Sequence, residues 1–174
     1  ALVGDMQGDT PVSDSGLTTL FSLNSVPLRQ ILPHLMKPSQ NQIAEILYKT
    51  LALEKAGIGS ADSARRIIER QLTLWGTEPD GFVVRDGSGL SRHDFVTPET
   101  LVRVLDAMRL HRDFAIFYES LPIAGVDGTL ANRMKGSAAT HNVRAKTATV
   151  DKASSLPGYS PTADRHQATL PFPL

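Results

Sequence analysis

The sequence contains no cysteine. Disulfide bonds and thiolate chemistry are therefore excluded, although the absence of cysteine does not fix the cellular compartment. An excess of charge of either sign is also missing, because 18 Lys and Arg residues balance 18 Asp and Glu residues. Nucleic-acid-binding domains normally carry a basic excess or a basic stripe. A nucleic-acid partner is therefore not expected.

Long apolar runs are absent as well. No stretch approaches the ~20 apolar residues that a membrane-spanning helix needs, so no transmembrane segment is expected. Residues 1–10 are polar and rich in Gly, without the charged start and apolar middle of a signal peptide. We therefore expect no signal peptide in this stretch.

Metal-ligand spacing is missing from the five histidines, which are His34, His93, His111, His141 and His166. No metal and no other cofactor is expected. A Ser-His-Asp triad stays open, although the sequence has no G-x-S-x-G elbow. The run Gly87-Ser88-Gly89 is too short for a phosphate-binding loop.

The composition is that of a folded domain. The chain has 174 residues, of which 41% are hydrophobic and 21% are charged. These values predict a packed core in one ordinary domain, or in a large piece of a bigger one. Periodicity and capping residues predict five helical segments, which begin after Pro27 (with a break or kink at Pro33), at 42, at Ser60, at Thr97-Pro98 and at 113.

Three runs rich in β-branched and aromatic residues predict strands at 17–23, 81–85 and 142–150. A neighbouring strand is expected at 155–160, but the prolines around it argue against a central position. The residues after Gly158 offer no apolar alternation for a further strand. The order of strands and helices predicts a mixed α/β (α+β) fold built in layers.

The stretch KPSQN leads directly into the second predicted helix. Pro38 biases Lys37 away from the helical region of backbone conformation. Ser39 is a good N-cap residue, and its plainest interpretation is that it only caps the helix. The same geometry would also hold Ser39 and Asn41 at the rigid mouth of a buried helix, where short polar side chains can face a cleft.

Four stretches, in the order KPSQNQIAE, DGSGLSR, GVDGTLANRM and VRAKTATV, resemble a known family. It comprises the penicillin-binding D-alanyl-D-alanine carboxypeptidases of the large, inserted type, the DacB or penicillin-binding-protein-4 group. The resemblance covers about 20–158, and the motifs are specific as a set although Ser-x-Asn alone would occur by chance. It implies a partial serine transpeptidase or β-lactamase-like domain, with helices packed on an antiparallel sheet.

Enzymes of this kind use the motifs Ser-x-x-Lys, Ser-x-Asn and Lys-Thr-Gly. The resemblance makes Ser39 the serine that passes a proton toward the leaving amine, and Asn41 the amide that hydrogen-bonds the acyl side of the substrate. It also implies that Lys146 and Thr147 hold the terminal carboxylate of the substrate. The backbone N–H of Thr149 would then be one donor of the oxyanion hole.

The segment 86–92 resembles a cleft-lining part of the same family, with Ser88 and Arg92 as substrate-binding residues. Arg92 would contact an acidic group on the peptide stem. Plain turn chemistry is the alternative for Ser88, and a surface ion pair is the alternative for Arg92. The alternative for Lys146 is a solvated lysine on an edge strand. Adjacent residues of a regular strand face opposite ways, so Lys146 and Thr147 could not both point straight into one cleft from such a strand.

Two departures from the family pattern stand out. No Ser-x-x-Lys occurs in the chain, so the nucleophile is expected in an upstream part of the same protein, which the site needs to be complete. Ala148 replaces the glycine of the third motif and is expected to narrow the cleft. The corresponding domain assignment is 1–16 for the end of an upstream segment, 17–160 for the C-terminal part of the transpeptidase-like domain, and 161–174 for a divergent tail.

The resemblance implies hydrolysis of the terminal D-alanine of peptidoglycan stem peptides through an acyl-enzyme, with cross-link cleavage as a further activity. β-Lactams would be mimic substrates. The expected location is periplasmic or extracellular, in association with the cell wall. The alternative is a non-catalytic peptidoglycan-binding fragment or a decayed gene product, which the missing nucleophile and Ala148 would explain.

Overall fold

The computed structural model describes residues 18, 20–150, 153–161 and 167–170. The predicted upstream segment 1–16 lies outside these residues, as does most of the predicted tail. The described residues form a mixed structure of helices and small antiparallel sheets. The helices are α1 Leu28–Met36, α2 Asn41–Ala56, α3 Ala61–Leu74, α4 Pro98–Arg109 and α5 Phe114–Ser120, with a 3-10 turn at Gly128–Leu130.

All five predicted helical segments are confirmed, and so is the N-cap at Thr97. Ser60, the predicted start of the third helix, is also an N-cap. Each of these two side chains accepts a hydrogen bond from the backbone N–H three residues later. The expected break at Pro33 is wrong, because α1 runs through it and the Lys37 N–H donates to the Pro33 carbonyl at 3.1 Å. The N-cap role of Ser39 is also wrong, since α2 begins at Asn41 with Gln40 as its N-cap.

The strands form three small antiparallel sheets among the described residues. Two of them are the pairs β1–β2 and β4–β5, and the third has the order β3-β6-β7. The strand bounds are β1 Phe82–Val83, β2 Phe95–Val96, β3 Arg144–Ala145, β4 Ala148–Val150, β5 Ala153–Ser155, β6 Gly158–Pro161 and β7 Gln167–Leu170.

Three strand predictions are corrected. Residues 18 and 20–23 are irregular rather than a strand, and the strand predicted at 142–150 is interrupted at Lys146 and Thr147. Strands do form after residue 157, where β6 lies between β3 and β7 despite Pro161. Because β3 pairs only with Gly158 and Tyr159, the missing N–H of Pro161 removes no hydrogen bond on that side.

Among the residues that the structure describes, the core is divided into three clusters of buried side chains. Tyr159 of β6 is fully buried against Phe114, Phe117 and Tyr118 of α5, and its hydroxyl donates to the Leu105 carbonyl at 2.7 Å. Burial raises the pKa of Tyr159. A second cluster joins α2 to α3, and a third packs around Ala145. Ala145 of β3, directly before Lys146, and Tyr159 of the paired strand β6 are therefore each buried in one of these clusters.

Candidate active site

Ser39 lies in the turn between α1 and α2 with a left-handed backbone conformation, φ 59°. Residues other than Gly rarely adopt this conformation, and it persists only where the surrounding structure holds it. It explains why Ser39 does not cap α2, whose N-cap is the following residue. The side chain of Ser39 is half-buried and is directed toward the other end of the described chain.

The partner of Ser39 is Lys146, 107 residues further along the chain. The Lys146 Nζ donates to the Ser39 Oγ at 2.6 Å and to the Thr147 carbonyl at 2.6 Å. Burial lowers the pKa of Lys146. A lysine of lowered pKa within hydrogen-bonding distance of a serine hydroxyl can relay a proton. The structure thus brings together two residues that lie in different motifs of the sequence.

Lys146 and Thr147 occupy the break between β3 and β4, so the strict alternation of a strand does not apply to them. The backbone of Lys146 is fixed by its N–H, which donates to the Pro157 carbonyl at 2.9 Å. The Thr147 Oγ1 donates to the Thr129 Oγ1 at 2.8 Å. Thr129 in turn donates its N–H to the Lys37 carbonyl at 2.9 Å, two residues before Ser39. Both side chains are therefore directed toward the same turn.

An ion pair lies beside this turn. The Lys37 Nζ donates to a carboxylate oxygen of Asp127, whose other oxygen accepts the Ile123 N–H at 2.8 Å. Burial alone would raise the pKa of Asp127. The hydrogen bonds from Lys37 and Ile123, with the positive charges of Lys37 and Arg144, outweigh burial and lower this pKa. Asp127 is therefore a carboxylate at neutral pH.

The other predicted site residues lie on nearby elements. Asn41 is exposed at the first residue of α2, and Thr149 is in β4 opposite Ser154. The backbone N–H groups of Gly87 and Ser88 donate to the Glu45 carboxylate at 2.8 and 2.9 Å. This contact attaches the loop 86–91 to α2, one turn after Asn41. Arg92 is exposed just beyond it, and the roles of these residues stay predictions.

Four residues that shape the site have no predicted role, namely Lys37, Glu45, Asp127 and Thr129. Asp127 and Thr129 lie in GVDGTLANRM, and Lys37 and Glu45 lie in KPSQNQIAE. Both stretches carry the resemblance, but the sequence alone assigns no contact to these four residues. Their contacts join segments up to 90 residues apart, as in the pair Lys37–Asp127. No local pattern reports such contacts.

Metal and membrane features can be stated for the part of the chain that the structure describes. There, no three or more His, Asp or Glu side chains are grouped so that they could hold a metal ion. The helices of that part are also too short or too polar for any one of them to cross a bilayer.

Comparisons with known proteins agree with one another. The family model of the D-Ala-D-Ala carboxypeptidase 3 (S13) family matches residues 6–172. A D-alanyl-D-alanine carboxypeptidase of Actinomadura sp. (strain R39) is 40% identical over 88% of this chain and 30% of its own length. The D-alanyl-D-alanine carboxypeptidase DacB of Haemophilus influenzae is 33% identical over 80% of this chain and 30% of its own length.

Solved structures give the same result. The crystal structure of penicillin-binding protein 4 (dacB) from H. influenzae matches with a TM-score of 0.76 at 32% identity, over 82% of this chain and 32% of that one. A second structure of that protein, complexed with a novel β-lactam, matches with a TM-score of 0.75. The chain thus spans about a third of the length of the relatives it matches.

Proposed function

The chain belongs to the D-Ala-D-Ala carboxypeptidase (S13) family, and from that premise we propose that it supplies two of the three catalytic motifs of a serine-type D-Ala-D-Ala carboxypeptidase. The substrates are peptidoglycan stem peptides, and β-lactams acylate the same site. The nucleophile comes from an upstream Ser-x-x-Lys of the same polypeptide. The proposal places the enzyme outside the cytoplasmic membrane, where the cell wall lies.

The hydrogen bond between Lys146 Nζ and Ser39 Oγ, at 2.6 Å, carries the proposal. In the reaction, the upstream serine Oγ attacks the carbonyl carbon between the two D-alanines and gives its proton to the lysine of the same Ser-x-x-Lys motif, and the C–N bond breaks as an ester forms. The leaving D-alanine amine needs a proton at that moment. Ser39 passes this proton, and Lys146 resupplies it, because a buried lysine of lowered pKa gives up a proton readily. Water then hydrolyses the ester.

Substrate recognition uses the positions around this pair. Lys146 and Thr147 hold the free carboxylate of the terminal D-alanine, since a cation beside a hydroxyl suits a carboxylate. The exposed Asn41 hydrogen-bonds the acyl side of the peptide, and the Thr149 N–H is one oxyanion donor. Ser88 and Arg92 line the cleft from the loop that Glu45 attaches to α2.

A non-catalytic peptidoglycan-binding role is the second candidate, because the chain carries no Ser-x-x-Lys and has Ala148 where the family motif has Gly. Ala148 is exposed at the first residue of β4. Binding of stem peptides without acylation of the full-length protein would favour this role.

Fluorescent penicillin separates the two candidates. We expect covalent label on the full-length protein and none on the present chain alone. In the full-length protein, Ser39→Ala should slow acylation by ~10²–10⁴-fold, the usual contribution of a proton-relay group. The matched control is Ser22→Ala, an exposed serine in an irregular stretch, which should label at the wild-type rate.

Label on the isolated chain would refute the assignment of the nucleophile to an upstream segment. A full-length protein that takes no label but binds stem peptides would refute the enzymatic proposal itself. Equal rates for Ser39→Ala and Ser22→Ala would remove Ser39 from the mechanism.

A further inference from the structure

The left-handed conformation of Ser39 belongs to the turn that ends α1. The Gln40 N–H donates to the Leu35 carbonyl at 2.9 Å, and this bond spans Ser39. Such a bond accompanies a left-handed residue just after a helix, a position that glycine usually occupies. A serine there carries the steric cost of its Cβ, and a residue in this conformation persists where surrounding contacts hold it as well.

A second support for this turn comes from the segment 123–130, which holds Lys37 at two points. The Asp127 carboxylate accepts a hydrogen bond from the Lys37 ammonium, and the Thr129 N–H donates to the Lys37 carbonyl at 2.9 Å. Asp127 is itself fixed, because its second oxygen accepts the Ile123 N–H at 2.8 Å. The side chains of Lys37 and Asp127 are only 25% and 32% exposed, so water screens this pair less than a surface pair.

Gly128 makes the close approach of the two segments feasible. Its φ of 56° is left-handed, and a Cβ there would lie 2.6 Å from the Lys37 carbonyl oxygen. No side chain fits at that distance, so the backbone of 128 rests directly on the backbone of Lys37. The segment 123–130 therefore contacts both the side chain and the backbone of Lys37, two residues before Ser39.

We propose that Asp127, acting through Lys37, is a positioning residue that keeps Ser39 in the conformation in which its Oγ meets Lys146. The inference rests on the proposed function, because it assigns Asp127 a part in the proton relay of that same site. Asp127 does not touch the reacting atoms. The charged groups that face it are Lys37 and, from β3, Arg144. Loss of the Asp127 charge leaves Lys37 without its partner and frees the turn.

The test compares Asp127→Asn, Lys37→Met and the double variant in the full-length protein. Asp62→Asn is the matched control, because it removes a carboxylate from the exposed ion pair with Arg65 on α3. Each single variant should acylate with penicillin ~10–100-fold more slowly, as a small misplacement of a catalytic group does. The dissociation constant of the initial penicillin complex should stay within ~2-fold. The double variant should be no slower than the worse single variant, because both act through one contact.

A second readout does not depend on acylation. NMR titration of 13C-labelled lysine side chains measures the pKa of Lys146, whose signal is assigned through Lys146→Arg. This pKa shows whether Ser39 still shields the Lys146 ammonium from water. We expect the midpoint of the Lys146 titration, which is its pKa, to rise toward the ordinary lysine value in Asp127→Asn and Lys37→Met. The same midpoint should stay unchanged in Asp62→Asn. A change that only destabilised the fold would lower the melting temperature without moving this midpoint in the folded protein.

The outcomes separate the two hypotheses. If the wild-type protein is not acylated, the proposed function fails, and the Lys146 titration alone decides the positioning role. Acylation within ~2-fold of wild type, additive single effects, or an unmoved Lys146 midpoint would each overturn the positioning role. If Asp127→Asn does not fold, Lys37→Met carries the test, because it leaves the bond between Asp127 and Ile123 in place.

Discussion

At the scale of single residues, the central feature is a lysine whose environment disfavours its charge. Lys146 is half-buried, and burial lowers its pKa. Its Nζ has only a serine hydroxyl and a backbone carbonyl as hydrogen-bond partners that the structure identifies. No carboxylate contributes to its pKa shift. Burying an ammonium group lowers the free energy of unfolding, and a lysine at an exposed position avoids this loss. A loss of stability of this kind is typical of residues that a site needs for its chemistry.

Replacing Lys146 should therefore stabilise the protein while it removes activity. Below the lowered pKa the lysine is charged in both the folded and the unfolded state, so its desolvation cost is fully present there. As pH rises through the lowered pKa toward 10.5, the folded state releases its proton first and the cost disappears. We expect Lys146→Met to raise the free energy of unfolding by up to ~1 kcal/mol at pH 7, with the difference from wild type shrinking near pH 10.5.

Urea unfolding at several pH values measures this difference in stability. Lys49→Met is the control, because Lys49 is exposed on α2. A lower stability of Lys146→Met at pH 7, or a difference that grows as pH rises, would contradict the burial argument for Lys146.

At the scale of elements, the position of Lys146 depends on the pairing of β3 with β6. Ala145 lies opposite Gly158, and the next residue bonds through its N–H to Pro157. A Cβ at Gly158 would lie 2.3 Å from the Arg144 carbonyl oxygen and 2.4 Å from the Ala145 Cβ. The two strands can approach only because residue 158 has no side chain.

Gly158→Ala should therefore separate β3 from β6. We expect a loss of ~1–3 kcal/mol of unfolding free energy, the usual cost of overpacking, together with slower acylation because Lys146 shifts with β3. Gly59→Ala is the matched control, since a Cβ there would meet its nearest atom at an ordinary 3.5 Å. Chemical denaturation measures both variants, and equal stability for the two would show that the β3–β6 contact adapts without cost.

At the scale of the whole molecule, the described residues leave many apolar side chains in contact with solvent. The largest exposed fractions belong to Leu20 (89%), Leu23 (86%), Leu110 (78%), Phe21 (73%) and Leu74 (71%). Three of these five lie within the irregular stretch 20–27. The chain spans about a third of the length of its relatives. Exposed apolar patches of this kind mark surfaces that bind another protein segment or aggregate.

The isolated chain should therefore self-associate. Analytical ultracentrifugation should show a sedimentation coefficient that rises with concentration, and the triple variant Leu20→Gln, Phe21→Gln and Leu23→Gln should reduce this rise. Leu110→Gln, at the end of α4, is the control for a single exposed leucine outside the stretch. A chain that stays monomeric up to its solubility limit would show that these side chains are tolerated in water.

Local sequence patterns were sufficient to predict the helices, and the motif resemblance was sufficient to select the candidate site residues. Amphipathic periods and the caps at Ser60 and Thr97 are local features, so α2 to α5 could be predicted from neighbouring residues alone. The motif resemblance singled out Ser39 and Lys146 as site residues, and the structure places them in contact. Their roles, and those of Asn41, Thr149, Ser88 and Arg92, stay predictions. Local reasoning failed for Ser39 as an N-cap and for the strand at 142–150.

How the site is held together depends on contacts that no single stretch of sequence contains. The hydrogen bond from Lys146 to Ser39 joins residues 107 positions apart, and the pair Lys37–Asp127 joins residues 90 positions apart. β6 lies in the middle of its sheet because Gly158 permits the approach of β3. No alternation of apolar residues in the sequence predicts this approach. Short-range patterns reflect interactions between neighbours in the chain, whereas these features are fixed by packing and charge between separate segments, up to 107 residues apart.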